Sequence, residues 1–408
     1  MAGPLQGIVV LDLSRILAGP WATQVLADYG ADVLKVEHPQ GGDDTRKWGP
    51  PYLKDADGRD TGESAYYLST NRGKRSLAID FSRPEGQDLV RRMAAGADVL
   101  VENFKVGGLA RYGLGYDDLA ALNPRLVYLS ISAFGQDGPD AAKPGYDAMI
   151  QGMGGLMSVT GLPDGEPGAG PQKVGVAVAD LMCGMYAVSA ILAALYERDR
   201  SGRGQYIDLS LLDTQVAWLA NQALNYLVSG EPPRRQGTAH PNIVPYQSFA
   251  TADGHLMLAV GNDAQFARFC AAAGSPELAS DSRYRTNGGR VAHRTELVPA
   301  VAGLLRERTT REWLASLEAA QVPCGPINDI AQVFSEPQVR HRRLQFELPH
   351  PIAGRAPGVR NPVRFSRTGI EYQRAPPALG ADTARELKAR LGLDDDALAD
   401  LVARGVIA

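Results

Sequence analysis

Cysteine is scarce in this chain. Cys183, Cys270 and Cys324 are the only three in 408 residues, far apart and with no CxxC pair. Neither a disulfide framework nor a cysteine zinc site is therefore expected, and a reducing cytoplasm is the expected compartment. HExxH, GxxxxGKS/T and GxSxG are all missing, and the first βα loop reads SRILAGP rather than GxGxxG. Zincin, P-loop, serine-hydrolase and dinucleotide signatures are thus absent. His38, His240, His255, His293, His341 and His350 show no ligand spacing, so no metal is expected. Neither sign of charge is in large excess: 42 Lys and Arg against 46 Asp and Glu leave a net charge of −4. That argues against nucleic acid as a partner, while leaving room for a local basic pocket. No signal peptide is recognisable, and apolar runs are broken before bilayer length, so no membrane association is expected.

What is present reads as alternating strands and helices. IVVLDL at residues 8–13 is a β-branched run, WATQVLADYG a helix with Gly30 past its end, and ADVLKVE a second strand. The pattern returns with SLAID (76–80), a helix through LVRRMAAG, and the strands ADVLVEN and RLVYLSISAFG. Ser82 and Glu85 fit a capping box for that helix. Such alternation predicts an open, doubly wound, Rossmann-like α/β domain. Residues 152–170 are rich in glycine and proline and read as a loop near a site. A long apolar helix follows from about Leu181 to Glu197, then a strand in SGRGQYIDLSLLD and a helix in DTQVAWLANQALNYLVSG. From about Phe249 a smaller α+β unit is expected, with helices near 264–273, 295–306 and 310–320.

Ligands of doubly wound sheets sit beyond the carboxyl ends of the strands. Three loops there carry candidate groups. The first holds Arg15, Ala18 and Gly19. The second, TNRGKRS, holds Arg72, Lys74 and Arg75. The third, ENFKVGGLARYG, holds Asn103, Phe104, Lys105 and Arg111. Each has a bland alternative, a tight turn or solvated surface charge. Together they suit a nucleotide-like, phosphorylated ligand. Asp180, in GVAVADLMCGMY, precedes the long helix. A helix N-cap is the ordinary job of an Asp in that position, and the helix dipole would keep it ionised.

These segments resemble the class III CoA-transferases, the formyl-CoA and carnitine CoA-transferase family. VLDLSRILAGPWATQVLADYGADVLKVEHP, NRGKRSLAID, DVLVENFKVGGLARYGLGYDDL, KPGYDAMIQGMGGLMSVTG, VAVADLMCGMY and VPCGPIN follow in the family's order. GTAHPNIVPYQSFATADGHL and EPQVRHRRL look closest to the succinate–hydroxymethylglutarate branch. The resemblance implies that Asp180 is the nucleophile and that a CoA thioester is substrate, with no tightly bound cofactor. It also implies CoA contacts from Arg15, Ala18, His38, Arg72, Lys74, Arg75, Asn103, Phe104, Arg111, Lys143 and Tyr146. Arg15 and Leu17 stand where formyl-CoA transferase has His and Gln, His38 stands for an Arg, and HPNIVP occupies the region of that enzyme's shielding glycine loop. The implied assembly is a homodimer of interlocked rings. Residues 1–200 and 330–408 would form the large domain, 201–245 a linker and 246–329 the small domain.

The implied reaction moves CoA from an acyl-CoA, such as succinyl-CoA, to a free dicarboxylic acid through an aspartyl anhydride and an aspartyl-CoA thioester. Backbone N–H groups of the 152–161 glycine loop would serve as oxyanion donors. Two other readings stay open. An acyl-CoA racemase of the same superfamily needs a His base where Tyr146 stands, and a phenol with a pKa near 10 serves poorly. A non-catalytic CoA-binding protein would keep the fold without the chemistry. Asp147, next to Tyr146, is the second candidate nucleophile.

Overall fold

The computed structural model describes residues 3–408, arranged as two compact units. The larger contains the chain up to Leu156, Val174–Ala223 and Gln338–Ala408; the smaller contains Met157–Lys173 and Leu224–Pro337.

Six parallel strands form the sheet of the larger unit: β1 (Val9–Asp12), β2 (Asp32–Glu37), β3 (Arg75–Ala78), β4 (Val99–Glu102), β5 (Val127–Ser132) and β6 (Tyr206–Ser210). Their order is β3-β2-β1-β4-β5-β6. The direction in which strands are added reverses between β1 and β4, which places a switch point where their following loops diverge. Alternate residues of each central strand enter different cores. Val10, Val33, Val99, Val101, Val127 and Leu129 join helices α1 (Ala18–Asp28) and α4 (Val178–Ser201) on one face. Leu11, Leu34, Leu77, Leu100 and Tyr128 join α2 (Pro84–Ala94) on the other. A parallel sheet covered on both faces explains why its strands read as continuous apolar runs. The short α3 (Asp147–Met153) packs against α4.

Helix α4 is long and apolar enough, by length and composition alone, to cross a bilayer, against the expectation that apolar runs stop short of that length. Here Ala179, Cys183, Ala187, Val188, Ile191 and Leu195 bury one face of it in the core. Each large aliphatic chain removed from water stabilises by about 2 kcal/mol. Gly184 lets α1 approach closely, since a Cβ there would lie 2.8 Å from the Ala18 carbonyl oxygen.

The smaller unit has an antiparallel sheet of β7 (Tyr246–Ala250), β8 (His255–Ala259) and β9 (Cys324–Pro326), in the order β9-β8-β7. Helices α5 (Asp263–Ala272), α6 (Arg294–Leu305) and α7 (Thr310–Ala319) fall where amphipathic periodicity places them. Thr309 and Glu312 form the capping box of α7, and Trp313 donates its indole N–H to the Leu305 carbonyl at 2.8 Å. The tail returns to the large unit as a hairpin, β10 (Gln345–His350) with β11 (Gly354–Val359), then α8 (Thr383–Leu391) and α9 (Asp395–Ala403). Leu387, Leu398, Val406 and Ile407 complete the α2-side core, and Ile407 bridges Ile79.

Three sequence expectations need correction. Arg83, not Ser82, is the N-cap of α2, with Pro84 in its first turn; Ser82 Oγ instead donates to Asp80 at 2.6 Å. The helix expected over 213–230 is two helices, Leu211–Ala217 and Asn221–Ser229, separated at Ala220, whose φ is 50°. Residues 201–223 are not linker, because β6 is the sixth strand of the main sheet.

Candidate active site

The loops leaving β1 and β4 face each other across the switch point. Asn103 ties them: its Oδ1 accepts the Arg15 N–H at 2.8 Å and its Nδ2 donates to the Arg15 carbonyl at 2.7 Å. The Arg15 guanidinium lies 5.3 Å from the Phe104 ring centre and 3.0 Å from Asp44. Beneath these loops is a cavity of about 510 Å³. Its walls include Arg15, Ala18, Asn103, Phe104, Arg111, Lys143, Tyr146 and Asp180. With Lys105, which also lines it, nine side chains named from the sequence, drawn from separate segments, therefore meet in one place.

The first loop is built under strain. Ile16 has φ 72°, a left-handed conformation that a β-branched residue rarely adopts. Asp43 holds it there by accepting the Ile16 N–H on both carboxylate oxygens at 3.2 Å. Asp43 is itself paired with buried Lys35 at 2.9 Å, and Lys35 also donates to the Ser14 carbonyl at 2.9 Å. Burial alone would raise the Asp43 pKa, but Lys35 and the Thr45 donors bring it down to about 2. Asp12, at the end of β1, accepts from the Ser14 N–H at 3.0 Å, Thr23 Oγ1 at 2.6 Å and Lys74 Nζ at 3.0 Å. Gly19 is required at the turn into α1, since a Cβ would lie 2.3 Å from the Ser14 side chain.

Lys74 thus has a different job from the one expected. It is fully buried, and besides Asp12 it donates to the Pro20 carbonyl and Asn71 Oδ1, each at 2.9 Å. Desolvation lowers its pKa to about 8 against the pull of Asp12. Arg72 is buried on Asp28 at 2.6 Å, and Arg75 pairs with Asp32. None of the three lines the cavity, because carboxylates of the same unit already engage their charges. Of the three, Lys74 alone props the first switch-point loop, through Asp12 and the Pro20 carbonyl. Arg72 and Arg75 hold Asp28 at the end of α1 and Asp32 at the start of β2, at the amino end of the sheet and away from the switch point. His38 is exposed, 3.7 Å from Asp80, and also lies outside the cavity lining.

Asp180 is not an N-cap. Helix α4 starts at Val178, its N-cap is Ala177, and Asp180 is the third residue of the first turn. Asp147 does the capping from α3: its Oδ1 accepts the N–H of Ala179 at 2.8 Å and of Asp180 at 3.3 Å, while Gln151 Nε2 steadies Oδ2 at 2.7 Å. The Asp180 carboxylate is left with no hydrogen-bond partner among the described residues, which is the condition of a group available for chemistry rather than for structure. Burial, and then the charge of Asp147, push its pKa from 3.8 up to about 7. The expectation that the helix dipole keeps it firmly ionised is therefore not met; desolvation and a like charge outweigh the dipole. The same geometry explains why Asp147 shapes the site: its oxygens are occupied.

Two acidic or phenolic groups escaped the sequence reading. Tyr66 packs edge-on against Trp48, with ring centres 5.1 Å apart. Its pKa is raised to about 12 by burial and by Asp180, Asp147 and Asp43, which places a neutral phenol in the field of the site carboxylates. Glu102, at the end of β4, is buried beneath the cavity wall; it accepts the Phe104 N–H at 2.7 Å and the Ser130 hydroxyl. Burial raises its pKa to about 7. No local motif marks either residue, since each acquires its surroundings from strands or helices distant in sequence. Of the glycine-rich stretch, residues 152–156 do not line the cavity. No group of three or more His, Cys, Asp or Glu suited to a metal occurs among the described residues.

A switch-point cavity rimmed by arginine and lysine, with one uncommitted carboxylate in a helix's first turn, marks an α/β protein with room for a large anionic ligand. Comparison with known proteins makes this specific. Residues 5–383 match the family described as CoA-transferase family III. A succinate–glutarate CoA-transferase of Agrobacterium fabrum is 53% identical over 94% of this chain and 95% of its own length. A human succinyl-CoA:glutarate CoA-transferase is 44% identical over 99% of this chain and 90% of its own. A crystal structure of a CAIB/BAIF family protein from Brucella suis is 47% identical, covers 97% of this chain and 100% of its own, and superposes with a TM-score of 0.82. The chain belongs to CoA-transferase family III. It is an enzyme of that class, and CoA thioesters are its substrates.

Proposed function

We propose that the enzyme transfers CoA from succinyl-CoA to a free dicarboxylic acid, with glutarate or a close analogue as acceptor. The Asp180 carboxylate, unpartnered in the cavity wall, is the observation that carries this reading. The names of the relatives support the choice of acids. An Asp180 oxygen attacks the thioester carbonyl carbon, the C–S bond breaks, and CoA leaves as thiolate from a succinyl–aspartyl anhydride. The thiolate then attacks the aspartyl carbonyl and succinate departs, leaving an aspartyl-CoA thioester. The acceptor carboxylate attacks that carbon, thiolate is freed again, and its attack on the acceptor carbonyl yields the new acyl-CoA and restores the Asp180 carboxylate. No net proton is consumed. Each step exchanges one carboxylate derivative for another, so binding and water exclusion, rather than driving force, decide the rate.

The nucleotide end of CoA is assigned to Arg15, Asn103, Phe104, Arg111, Lys143 and Tyr146. Helix α1 adds an uncapped N-terminus with no acidic residue in its first turn, and Leu17 and Ala18 bring it to the cavity wall. Backbone N–H groups there favour a negative charge. The working form is proposed to be a homodimer. Helices α3 and α4 and the helix Leu211–Ala217 pack together and leave Met149, Met153, Met185, Tyr186 and Val216 exposed, and clustered apolar side chains at a surface favour a partner. A second copy of this chain is the proposed cover, and light scattering reads the mass directly.

The test is incubation with succinyl-CoA alone, followed by hydroxylamine and peptide mass analysis. A hydroxamate on the peptide containing Asp180 is expected, and Asp180→Ala should lose both the adduct and at least ~10³-fold of turnover, as for loss of a covalent nucleophile. Transfer that persists in Asp180→Ala would overturn the assignment. Exchange of the substrate α-proton with solvent deuterium, without transfer, would point to racemase chemistry instead.

A further inference from the structure

A second cavity, of about 500 Å³, lies in the larger unit on the segment that returns from the smaller one. It shares no lining residue with the Asp180 cavity. Its walls carry Arg342, Arg343, Arg360 and Arg364 together with His341 and Tyr372, and no Asp or Glu is among its lining residues.

The buried arginines of this unit are neutralised. Arg46 lies on Glu37 and Glu63, Arg72 on Asp28, and Arg198 on Asp98. The four around this cavity form no ion pair among the described residues. Arg360 is the most constrained. Its guanidinium stacks 5.1 Å from the Tyr372 ring centre and 5.3 Å from that of Phe346. Stacking fixes its plane without using its N–H donors, and its buried Nε has no hydrogen-bond partner. Arg343 is presented from a left-handed residue with φ 51°. Arg364 reaches across to the Arg342 carbonyl at 2.6 Å, which ties the two arginine-bearing segments together. Asp28, near Tyr372, is already spent on Arg72 and on Asn361 Nδ2 at 3.1 Å. The result is a concentrated positive field in a chain of net charge −4.

Four guanidinium groups without a counter-charge repel one another, and they release that strain on an anion with several oxygens. Planar N–H forks match phosphate and carboxylate oxygens bidentately. The volume is that of a nucleotide-sized ligand rather than a single phosphate ion. We propose that this cavity is a second anion site, which binds the polyphosphate group of a nucleoside diphosphate or similar ligand separately from the acyl-CoA in the Asp180 cavity. The proposal does not depend on which acids the enzyme exchanges.

The test uses the full-length protein with its first site saturated by CoA, titrated calorimetrically with ADP, 3′,5′-ADP and inorganic pyrophosphate at about 150 mM salt. One further site per chain is expected, weakened at least tenfold by about 500 mM salt. Equal binding of the three probes assigns the site to the diphosphate or paired phosphates. Preference for the nucleotides assigns a nucleoside contact as well. Arg360→Gln and the exposed Arg343→Gln should each weaken binding at least tenfold while CoA affinity and transfer stay at the wild-type level. Arg343→Gln keeps the test valid if loss of the Arg360 stack perturbs folding. No binding of any probe at millimolar concentration, binding that competes with CoA, or binding unchanged in both variants would overturn the proposal.

Discussion

Replacing Asp147 by asparagine should make the enzyme faster in mild acid. The reasoning starts from the cap. An asparagine side chain keeps an Oδ1 that can accept the Ala179 and Asp180 N–H groups, as Asp147 does at 2.8 and 3.3 Å. What the substitution removes is one negative charge close to Asp180. Asp147 already lies 3.3 Å from the Asp180 N–H, and two unit charges several ångströms apart in a partly wetted site interact by about 1–3 kcal/mol. Burial is the larger cause of the high Asp180 pKa and stays in the variant, so the lower end applies. About 1.4 kcal/mol is one decade in an ionisation constant.

The sign follows from the mechanism. In the proposed mechanism only ionised Asp180 attacks the thioester, so with a pKa of about 7 the rate in wild type should fall as pH drops below that value. In Asp147→Asn the acid limb should move down by about one pH unit. At pH 6 the ionised fraction then rises about fivefold, and kcat/KM with it, whereas at about pH 8.5 the two enzymes should agree within about twofold. The assay is single-turnover loss of succinyl-CoA across roughly pH 5 to 9. An acid limb that stays put, or moves upward, would refute the like-charge account and leave Asp147 a purely structural cap.

Three further outcomes follow from the same geometry. Lys74→Met leaves Asp12 buried with one fewer counter-charge and should cost about 3–5 kcal/mol of stability, read as a large fall in thermal midpoint with any residual acyl-CoA KM changed for all acyl groups alike. Glu102→Gln should stabilise the fold in mild alkali. The folded pKa of Glu102 is raised from 4.5 to about 7, so wild type loses stability as pH rises through that window; the variant's thermal midpoint should exceed wild type at about pH 8 and the difference should vanish near pH 4. Asn103→Ala cuts the tie between the two switch-point loops and should raise KM for acyl-CoA about tenfold, with a smaller effect on kcat, measured by steady-state kinetics on succinyl-CoA.

The βα alternation was legible because a covered parallel sheet writes itself as apolar runs punctuated by turns. Asp180 was singled out through its motif, and its surroundings could not be read there. Nothing in GVAVADLMCGMY shows that a carboxylate from KPGYDAM caps the helix and so releases Asp180 from that duty. The basic loop misled for a related reason. Arg72, Lys74 and Arg75 look alike whether their partners are ligand phosphates or Asp28, Asp12 and Asp32, because those acids lie on elements that only the folded sheet brings near. The break at Ala220 was hidden too, since helical periodicity continues through it and only the backbone shows the turn.

The charges buried behind the switch point have a consequence for how the cavity works. A buried ion pair is a weak source of stability compared with a well-packed apolar pair, so the Asp12–Lys74 and Lys35–Asp43 pairs are poorly explained as fold stabilisers. Their hydrogen bonds run to backbone. Lys35 holds the Ser14 carbonyl, Lys74 the Pro20 carbonyl and Asp43 the Ile16 N–H, while Asp12 holds the Ser14 N–H. An apolar core of equal volume would fill the space but would leave those groups without partners and would let Ile16 relax from a conformation costing about 1–3 kcal/mol. The network therefore exchanges stability for position. It fixes the segment from Ser14 to Pro20 before ligand arrives, with Arg15 turned toward Phe104 and the start of α1 open to the cavity. A loop fixed in advance loses little entropy when a long, flexible thioester binds, and, on the proposed mechanism, it leaves the reacting carbonyl few positions relative to Asp180. For an exchange between two carboxylic acids of similar energy, that restriction of geometry is the larger part of what a protein can contribute.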